Sequence, residues 1–417
     1  MEKTNQRGSN SSVQHIFIIG SKSIGQYGGF ETFVDRLTEQ HQYNSDIKYH
    51  IACKANGIGF MDESKLDGIN VIKRNKNGFV IEFTYHNAHV FKLFCPNIGA
   101  AAAVYYDRAA AGYCIRYCRD NGIEKPVFYI LTYRIGLFID DIVRQIKRIG
   151  GIYILNPDGH EWMRHKWSAP VRRYWKWSEK KMVLAADAVI CDSVRIEEYI
   201  LQKYRHPKTF YISYGCDSAK SLLSDDHPQF TGWLDRNRLQ IGQYYLAVGR
   251  FVPENNYEIM IREFMNSNSN HSLVIVTNEN NKLKKQIETK LQFSADPRIK
   301  FAEPVYDKEL LKKIRENAYG YLHGHEAGGT NPSLLEALGT TKLNLLLDVG
   351  FNKEVGETAA LYWNKEKGDL SALIDRADAM DSGQISELGR RAKERVRTSY
   401  SWDFIGDEYR KFWKSIR

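Results

Sequence analysis

A glycine-rich segment in the last third of the chain, His323–Leu338 (HGHEAGGTNPSLLEAL), contains the residue types best suited to chemistry, and it predicts a strand end, a turn and the start of a helix. Gly328 and Gly329 allow positive φ angles and a close approach of the backbone to a ligand. Thr330 or Asn331 can cap the helix that follows. Because free amides and the helix dipole favour an anion there, the segment predicts a diphosphate site. An ordinary capped helix is the alternative.

Two charged side chains could complete this site. Glu336 lies about one turn into the expected helix, where its carboxylate could accept hydrogen bonds from a ribose. Arg250 directly follows an apolar segment that predicts a strand, so it would face the ligand crevice of an open sheet. A guanidinium can bind a phosphate through two hydrogen bonds. The alternative for Arg250 is a surface position on a loop.

A polar cluster follows another expected strand, in the segment NPDGHEWMR at 156–164. We assign the acceptor-binding role to its charged and titratable members, Asp158, His160, Glu161 and Arg164. Such side chains can hold sugar hydroxyls or supply a base, and Asp158 is our candidate for a catalytic carboxylate. Because Asp158 precedes a glycine, a structural turn remains the alternative. The spacing of a tightly held metal site is missing, so we expect no bound metal.

Composition limits the class of protein. A chain of 417 residues with 43% hydrophobic and 26% charged residues is long enough for two domains with their own cores. The net charge of +9 favours an anionic partner, and nucleotide, nucleic acid and anionic membrane all qualify. The first dozen residues lack an apolar signal region, and no run approaches the ~18 apolar residues of a transmembrane helix. We therefore expect a cytoplasmic protein with buried, reduced cysteines.

The segment at 162–181 combines four tryptophans with seven lysines or arginines. Aromatic rings and cations together favour the boundary between water and an anionic membrane. Single-stranded nucleic acid would also suit this composition. A helix with buried tryptophans and solvated cations is the structural alternative. We favour the membrane surface and expect no nucleic-acid partner.

A second glycine loop lies near the start of the chain. The apolar segment His15–Gly20 predicts a buried strand, and the loop Ser21–Gly29 leads from it into an amphipathic helix. A P-loop would need lysine where Gln26 stands, and the GxGxxG fingerprint is missing. We therefore expect Gly28 and Gly29 to lie over a ligand without gripping its phosphates in either familiar way.

Strands alternate with helices twice along the chain, which predicts an α/β protein with two doubly wound, Rossmann-like domains facing a central cleft. We place the N-terminal, acceptor-binding domain at residues 13–215, with its last strand at Tyr211–Tyr214. The C-terminal, donor-binding domain is expected at 216–399. The aromatic segment at 400–417 predicts a helix that leaves the second domain and packs on the first.

These segments together resemble family 4 of the glycosyltransferases, two-domain enzymes of the GT-B fold. IIGSKSIGQYGGFETF, NPDGHEW, VGRFVPENN and GGTNPSLLEAL occur in the family's order, and the resemblance covers nearly the whole chain. Within the family the chain looks closest to bacterial rhamnosyltransferases of cell-wall and capsular polysaccharide synthesis. The resemblance implies retaining transfer of L-rhamnose from dTDP-β-L-rhamnose to a sugar on polyprenyl diphosphate, with a β-1,4 linkage expected.

The resemblance also assigns roles to residues. Arg250 would contact the donor diphosphate and act in catalysis. The other donor-binding residues would be Gly28, Gly29, Gly328, Gly329, Thr330, Asn331 and Glu336. The chain departs from the family pattern twice: Asn255 stands near the position of a usual lysine, and Gly328 occupies the position of a usual glutamate. Glu326 is our candidate to replace that glutamate as a catalytic carboxylate.

The implied partners are a nucleotide sugar, a polyprenyl-diphosphate-linked saccharide and the inner face of the cytoplasmic membrane. The nucleotide sugar is a substrate, so no cofactor is expected. Three alternatives remain. The chain could be a family 4 transferase that uses a UDP- or GDP-hexose, or a non-catalytic protein that binds nucleotides or sugars. The third, a nucleotide-binding oxidoreductase, is disfavoured because GxGxxG is missing.

Overall fold

The computed structural model describes residues 13–26, 28–99, 101–163, 167–206, 208–278, 281–326 and 328–416. These residues form two separate β-sheets, one from each half of the chain. Strands alternate with helices in both halves, which confirms the predicted α/β class with two doubly wound domains. The chain positions of the domain boundaries stay predictions.

The first sheet has nine strands: β1 (Gln14–Ile19), β2 (Ile47–Lys54), β3 (Asn70–Arg74), β4 (Val80–Tyr85), β5 (Ala88–Leu93), β6 (Val127–Leu131), β7 (Ile152–Asn156), β8 (Ala188–Cys191) and β9 (Thr209–Tyr211). Their spatial order is β3-β4-β5-β2-β1-β6-β7-β8-β9. All neighbours are parallel except the β3–β4 and β4–β5 pairs. The helices of this half are α1 (Gly29–Gln40), α2 (Ala101–Asp120), α3 (Ile139–Arg148), α4 (Ala169–Ala185) and α5 (Val194–Tyr204).

The second sheet has six parallel strands: β10 (Tyr244–Val248), β11 (Ser272–Val276), β12 (Ile299–Ala302), β13 (Gly320–His323), β14 (Leu343–Leu347) and β15 (Leu361–Trp363). Their spatial order is β12-β11-β10-β13-β14-β15. The helices are α6 (Pro228–Asn237), α7 (Tyr257–Asn266), α8 (Asn281–Leu291), α9 (Lys308–Glu316), α10 (Pro332–Thr340), α11 (Gly350–Gly356), α12 (Asp369–Asp378), α13 (Ser382–Ser399) and α14 (Trp402–Ser415).

Both sheets are covered on both faces, which explains why their central strands are continuous apolar runs. In β1, Ile16 and Ile18 enter one hydrophobic core while Phe17 and Ile19 enter a second core on the opposite face. The alternation follows from the two-residue period of a strand. In the second sheet, β10 divides its residues between two further cores in the same way. No helix among the described residues is long and apolar enough to cross a bilayer.

The strand order places one crevice in each sheet. In the first sheet, β2 to β5 lie on one side of β1, and β6 to β9 lie on its other side. In the second sheet, β11 and β12 lie on one side of β10, and β13 to β15 lie on the other. The switch points are therefore between β1 and β6 and between β10 and β13. Ligands of doubly wound proteins bind outside the carboxyl ends of the strands at such switch points. The loops that follow β1, β6, β10 and β13 are therefore the segments that the fold positions for binding.

Two details of the first sheet differ from the sequence prediction. The last strand, expected at Tyr211–Tyr214, is β9 at Thr209–Tyr211. Its neighbour β8 has only four residues, so the ladder ends at the pairing of Cys191 with Tyr211. The antiparallel pairing of β4 with β3 at the sheet edge, where every residue of β3 is exposed, was not predicted.

The C-terminal helix α14 returns to the first domain, as predicted. The Nε1 of Trp413 donates to the hydroxyl of Tyr49 at 2.9 Å, and the hydroxyls of Tyr409 and Tyr129 are 2.8 Å apart. His41 bonds the carbonyl of Gly406 at 2.8 Å. Because these aromatic side chains are fully buried, α14 completes the core of the first domain.

A row of three histidines crosses the first sheet; His50 and His89 are buried and His15 is half-buried. The Nδ1 of His15 lies 2.9 Å from the Nε2 of His50, whose Nδ1 lies 3.2 Å from the Nδ1 of His89. Burial lowers the pKa of all three imidazoles, most strongly for His50, where its two neighbours and Lys48 add repulsion. Glu82 beside His89 opposes the fall in that pKa without cancelling it.

We expect the free energy of unfolding to fall as the pH drops below about 6.5, the pKa of histidine in an unfolded chain. There the unfolded chain binds protons while this row stays neutral, so acid stabilises the unfolded state. Urea unfolding between about pH 7.5 and about pH 5 measures the slope. His50→Phe preserves an aromatic ring stacked on Phe17 but cannot titrate, so its slope should be shallower. Equal slopes in both proteins would contradict this account.

Candidate functional site

Arg250 and the glycine loop of the C-terminal half lie at the switch point of the second sheet. Arg250 follows β10, and the loop follows β13, the neighbouring strand. The Nδ2 of Asn255 donates to the carbonyl of Arg250 at 2.8 Å and closes the turn at Pro253–Asn255. The side chain of Arg250 is exposed. The fold therefore places Arg250 beside the crevice, and its role in binding a diphosphate stays a prediction.

Asn331 is the cap of α10. Its side-chain oxygen accepts from the amides of Ser333 at 2.9 Å and Leu334 at 3.3 Å, and Pro332 occupies the first turn. These first-turn amides are therefore not free, contrary to the expectation from the sequence. An anion at this end of α10 would be met by the helix dipole and by the loop amides of residues 329–331.

Thr330 connects the loop to the other domain. Its hydroxyl donates to the carbonyl of Asp192 at 2.5 Å and accepts from the hydroxyl of Ser213 at 3.1 Å. The residue is only 4% exposed. Its side chain thus holds the two domains together, and only its backbone remains suited to the donor-binding role predicted for it.

Three glycines set the distance between the domains. A Cβ on Gly159 would lie 2.7 Å from the Cα of Gly328 and 3.2 Å from the nitrogen of Gly329. A Cβ on Gly329 would lie 2.5 Å from the Oδ1 of Asp192. Gly328 also has a φ of +140°, which favours glycine. The loop after β7 and the loop after β13 therefore meet backbone to backbone.

Asp158 lies at this meeting point, at the end of β7. It adopts a left-handed conformation with φ of +56°, and its amide donates to the Oδ1 of Asn156 at 2.9 Å. Burial raises the pKa of Asp192 well above its usual value, and the nearby charge of Asp158 adds to that shift. The structure thus brings two carboxyl groups of the first domain to the loop that carries Gly328 and Gly329.

The other residues assigned to the acceptor are held in local structure. The ring of His160 lies 4.5 Å from that of Tyr199, and burial lowers its pKa. The Oε1 of Glu161 accepts from the Nε1 of Trp167 at 2.7 Å. Arg164 lies outside the described residues. His160 and Glu161 therefore shape the wall behind Asp158, and their acceptor-binding role stays a prediction.

Glu326 and Glu336, which flank the glycine loop of the C-terminal half, both form ion pairs. Glu326 pairs with Lys365 and accepts from the Nδ2 of Asn256 at 3.0 Å. Glu336 pairs with the Nη2 of the buried Arg315 at 2.7 Å, while 43% of its own side chain is exposed. Glu336 can therefore offer its accessible oxygen to a ribose hydroxyl.

The first glycine loop lies at the switch point of the first sheet. Gly28 caps α1 with a φ of +156°, and a Cβ there would collide with Glu31. A Cβ on Gly29, the first residue of α1, would meet no neighbour within 4 Å among the described residues. Gly28 is thus required by the turn itself, whereas Gly29 leaves open space at the start of the helix.

Sequence reasoning missed two acidic residues at the boundary between the domains. Asp192 follows β8 directly, and an acidic residue at the end of an apolar strand could have revealed it. Glu354, on α11, accepts from the hydroxyl of Ser193 at 2.7 Å and from the amide of Val194 at 2.9 Å. No sequence signal predicts that Glu354 of one domain stabilises the N-terminus of α5 in the other.

Three of the four tryptophans in the basic segment make contacts inside the first domain. Trp175 is buried, and Trp162 and Trp167 donate their Nε1 hydrogens to Glu179 and Glu161. Lys176 lies 3.8 Å above the Trp162 ring, so it is not a free surface cation. One stripe of α4 remains exposed, formed by Arg173, Trp177, Lys180 and Leu184.

Comparison with known proteins agrees with this architecture. Residues 13–217 match a family model described as a domain of unknown function (DUF1972). No curated protein sequence matches the chain.

Solved structures share its fold along almost the whole length. Sucrose-phosphate synthase from Thermosynechococcus elongatus has a TM-score of 0.70 and 16% identity over 97% of this chain and 99% of that chain. A glycosyltransferase from Rickettsia africae has a TM-score of 0.68 and 11% identity over 97% and 98%. HepE from Anabaena, in complex with UDP, has a TM-score of 0.66 and 14% identity over 97% and 100%. The chain therefore has the GT-B fold.

We expect Gly159→Ala to lower the free energy of unfolding by about 1–3 kcal/mol, because the added methyl would push into the backbone of Gly328. Urea unfolding measures the change. Gly112→Ala on α2 is the control, since its methyl would meet only the flexible end of Arg116 at 3.6 Å. Equal stability of the two variants would show that the contact between the domains is not closely packed.

Proposed function

We propose that this protein is a glycosyltransferase that takes its sugar from a nucleotide sugar. The observation that carries the proposal is the meeting of Arg250, the start of α10 and the glycine loop at one switch point, opposite the carboxyl groups of Asp158 and Asp192. Cationic and amide groups on one side suit a diphosphate, and carboxyl groups on the other side suit sugar hydroxyls.

In this proposal the bond between the sugar and the diphosphate breaks while a hydroxyl of the acceptor forms the new bond. Charge grows on the departing diphosphate, and Arg250 with the loop amides at 329–331 stabilises it. Glu336 holds the ribose. Glu326, paired with Lys365, keeps that ammonium at the edge of the site. The departing phosphate takes the acceptor proton, which gives transfer with retention on the same face.

We further propose L-rhamnose as the sugar, dTDP-β-L-rhamnose as the donor and a polyprenyl-diphosphate-linked saccharide as the acceptor, joined by a β-1,4 linkage. The support is the resemblance of YGGFETF and GGTNPSLLEA to rhamnosyltransferases of cell-wall and capsular synthesis. HepE is similar in fold and was solved with UDP, so a UDP-sugar is the second candidate donor. Mass spectrometry of products from both donors separates the two.

A lipid-linked acceptor requires access to the membrane surface, and we propose that the exposed stripe of α4 supplies it on the cytoplasmic face. Arg173 and Lys180 offer cations, while Trp177 and Leu184 are 42% and 54% exposed. The apolar Leu137, 64% exposed, precedes α3, which packs beside α4. Cations flanking exposed apolar side chains suit the head-group region of an anionic bilayer.

We expect Arg250→Ala to lower kcat/KM for transfer at least tenfold, or ~1.4 kcal/mol in the barrier, because the departing diphosphate loses its cation. Initial rates with dTDP-β-L-rhamnose and with UDP-glucose measure the change. Arg376→Ala on α12 removes an equally exposed arginine and should leave the rate unchanged. Unchanged turnover in Arg250→Ala at saturating donor would show that Arg250 is not part of the site. Wild-type protein that binds both nucleotides without turnover would indicate a non-catalytic binding protein.

We expect a variant with Arg173→Glu, Lys180→Glu and Trp177→Ser to lose most of its binding to vesicles that contain anionic lipid. About 1 kcal/mol per cation is lost, together with the anchoring ring. Vesicle sedimentation over a series of anionic lipid contents measures this. Lys282→Glu with Lys285→Glu on α8 makes the same charge change elsewhere and should bind like the wild type. Full retention of the α4 variant would show that this stripe does not face the membrane.

A further inference from the structure

The carboxyl group of Asp192 is buried where the two domains meet, yet part of it has no partner. The residue is 1% exposed, and its Oδ1 lacks a hydrogen-bond partner among the described residues. Buried polar atoms are almost always hydrogen-bonded, so an exception indicates a group that pairs with something else. No lysine, arginine or histidine is ion-paired with it in the described part of the chain.

A structural role as a helix cap does not account for this carboxyl group. Asp192 directly precedes α5, but the cap of that helix is Ser193, whose hydroxyl accepts from the amide of Arg195 at 3.1 Å. Glu354 takes the amide of Val194 at 2.9 Å. The donors at the start of α5 are thus satisfied without the side chain of Asp192.

The position of this carboxyl group points to a ligand in the cleft. It lies against Gly329, where a Cβ would come within 2.5 Å of Oδ1. Asp158 stands two residues after the neighbouring strand β7, and its charge acts on Asp192. Asp192 therefore faces the same loop that seats the donor in the proposed function, from the opposite domain.

On the basis of that proposed function, we infer that Asp192 is a further substrate-binding residue, whose Oδ1 accepts a hydrogen bond from a sugar hydroxyl when the cleft is occupied. A hydroxyl is the neutral donor that suits a carboxyl group with no cation beside it. The hydroxyl can belong to the donor sugar or to the acceptor. Burial holds the pKa of Asp192 well above its usual value while no ligand is present, so the group can receive a neutral partner without stranding a buried charge.

The test uses Asp192→Leu, which keeps a similar side-chain size but has no hydrogen-bond acceptor, in the full-length protein. We expect kcat/KM with dTDP-β-L-rhamnose or UDP-glucose to fall at least tenfold, while the Kd of dTDP and UDP, which carry no sugar at this position, changes less than about threefold. Asp187→Asn is the matched control at the opposite end of β8. Its oxygen can still accept from the amide of Tyr153, and its turnover should stay within about twofold of wild type.

Two arms identify the source of the hydroxyl. The first arm measures hydrolysis of the nucleotide sugar without acceptor, and the second measures transfer to the acceptor. If the variant loses both activities, the hydroxyl belongs to the donor sugar. If it loses transfer alone, the hydroxyl belongs to the acceptor. Turnover of Asp192→Leu within about twofold of wild type would overturn the inference, and so would a parallel loss of nucleotide affinity, which would mean that Asp192 only shapes the loop. If Asp192→Leu does not fold, Asp192→Ala is measured in the same way. Wild-type protein that transfers no sugar would instead overturn the proposed function itself.

Discussion

The close contact between two glycine loops is the constraint on which the rest of the site depends. Gly159 of the first domain meets Gly328 and Gly329 of the second with no room for a Cβ. At these positions the loop after β7 and the loop before α10 approach each other through backbone atoms. Thr330 and Glu354 reinforce this contact through hydrogen bonds to the opposite domain.

The charges on the two sides of the contact differ in kind. On the second domain, Arg250 is an exposed cation, while Glu326 and Glu336 are each neutralised by a basic partner. On the first domain, Asp158 and Asp192 lie together, and the charge of Asp158 makes ionisation of Asp192 more costly. In the proposed function, the side with Arg250 binds the phosphates and the side with Asp158 and Asp192 binds sugar hydroxyls.

The returning helix α14 links the domains by a different route. Its aromatic side chains complete the core of the first domain, although α13 before it packs against α10 of the second. Cys216 pairs with Ser401 where the chain crosses between the domains in both directions.

The sequence by itself determined the α/β class, the two Rossmann-like domains, the helix at Pro332 and the placement of Arg250 at a strand end. Those features depend on local periodicity, on caps and on glycine or proline at particular positions, all of which are written in neighbouring residues. Composition did not reveal which side of α4 faces the core, where Trp175 is buried, and membrane contact of the 162–181 segment stays a prediction.

Only the tertiary structure decided how the two halves of the site meet. Asp192 and Gly329 are far apart in the chain, and their contact follows from the packing of the loop after β13 against the end of β8. The same packing directs the hydroxyl of Thr330, which was expected to bind the donor, to the carbonyl of Asp192 in the other domain. It also leaves the Oδ1 of Asp192 buried without a partner among the described residues. Contacts of this kind depend on the summed geometry of both domains, which no local pattern of residues encodes.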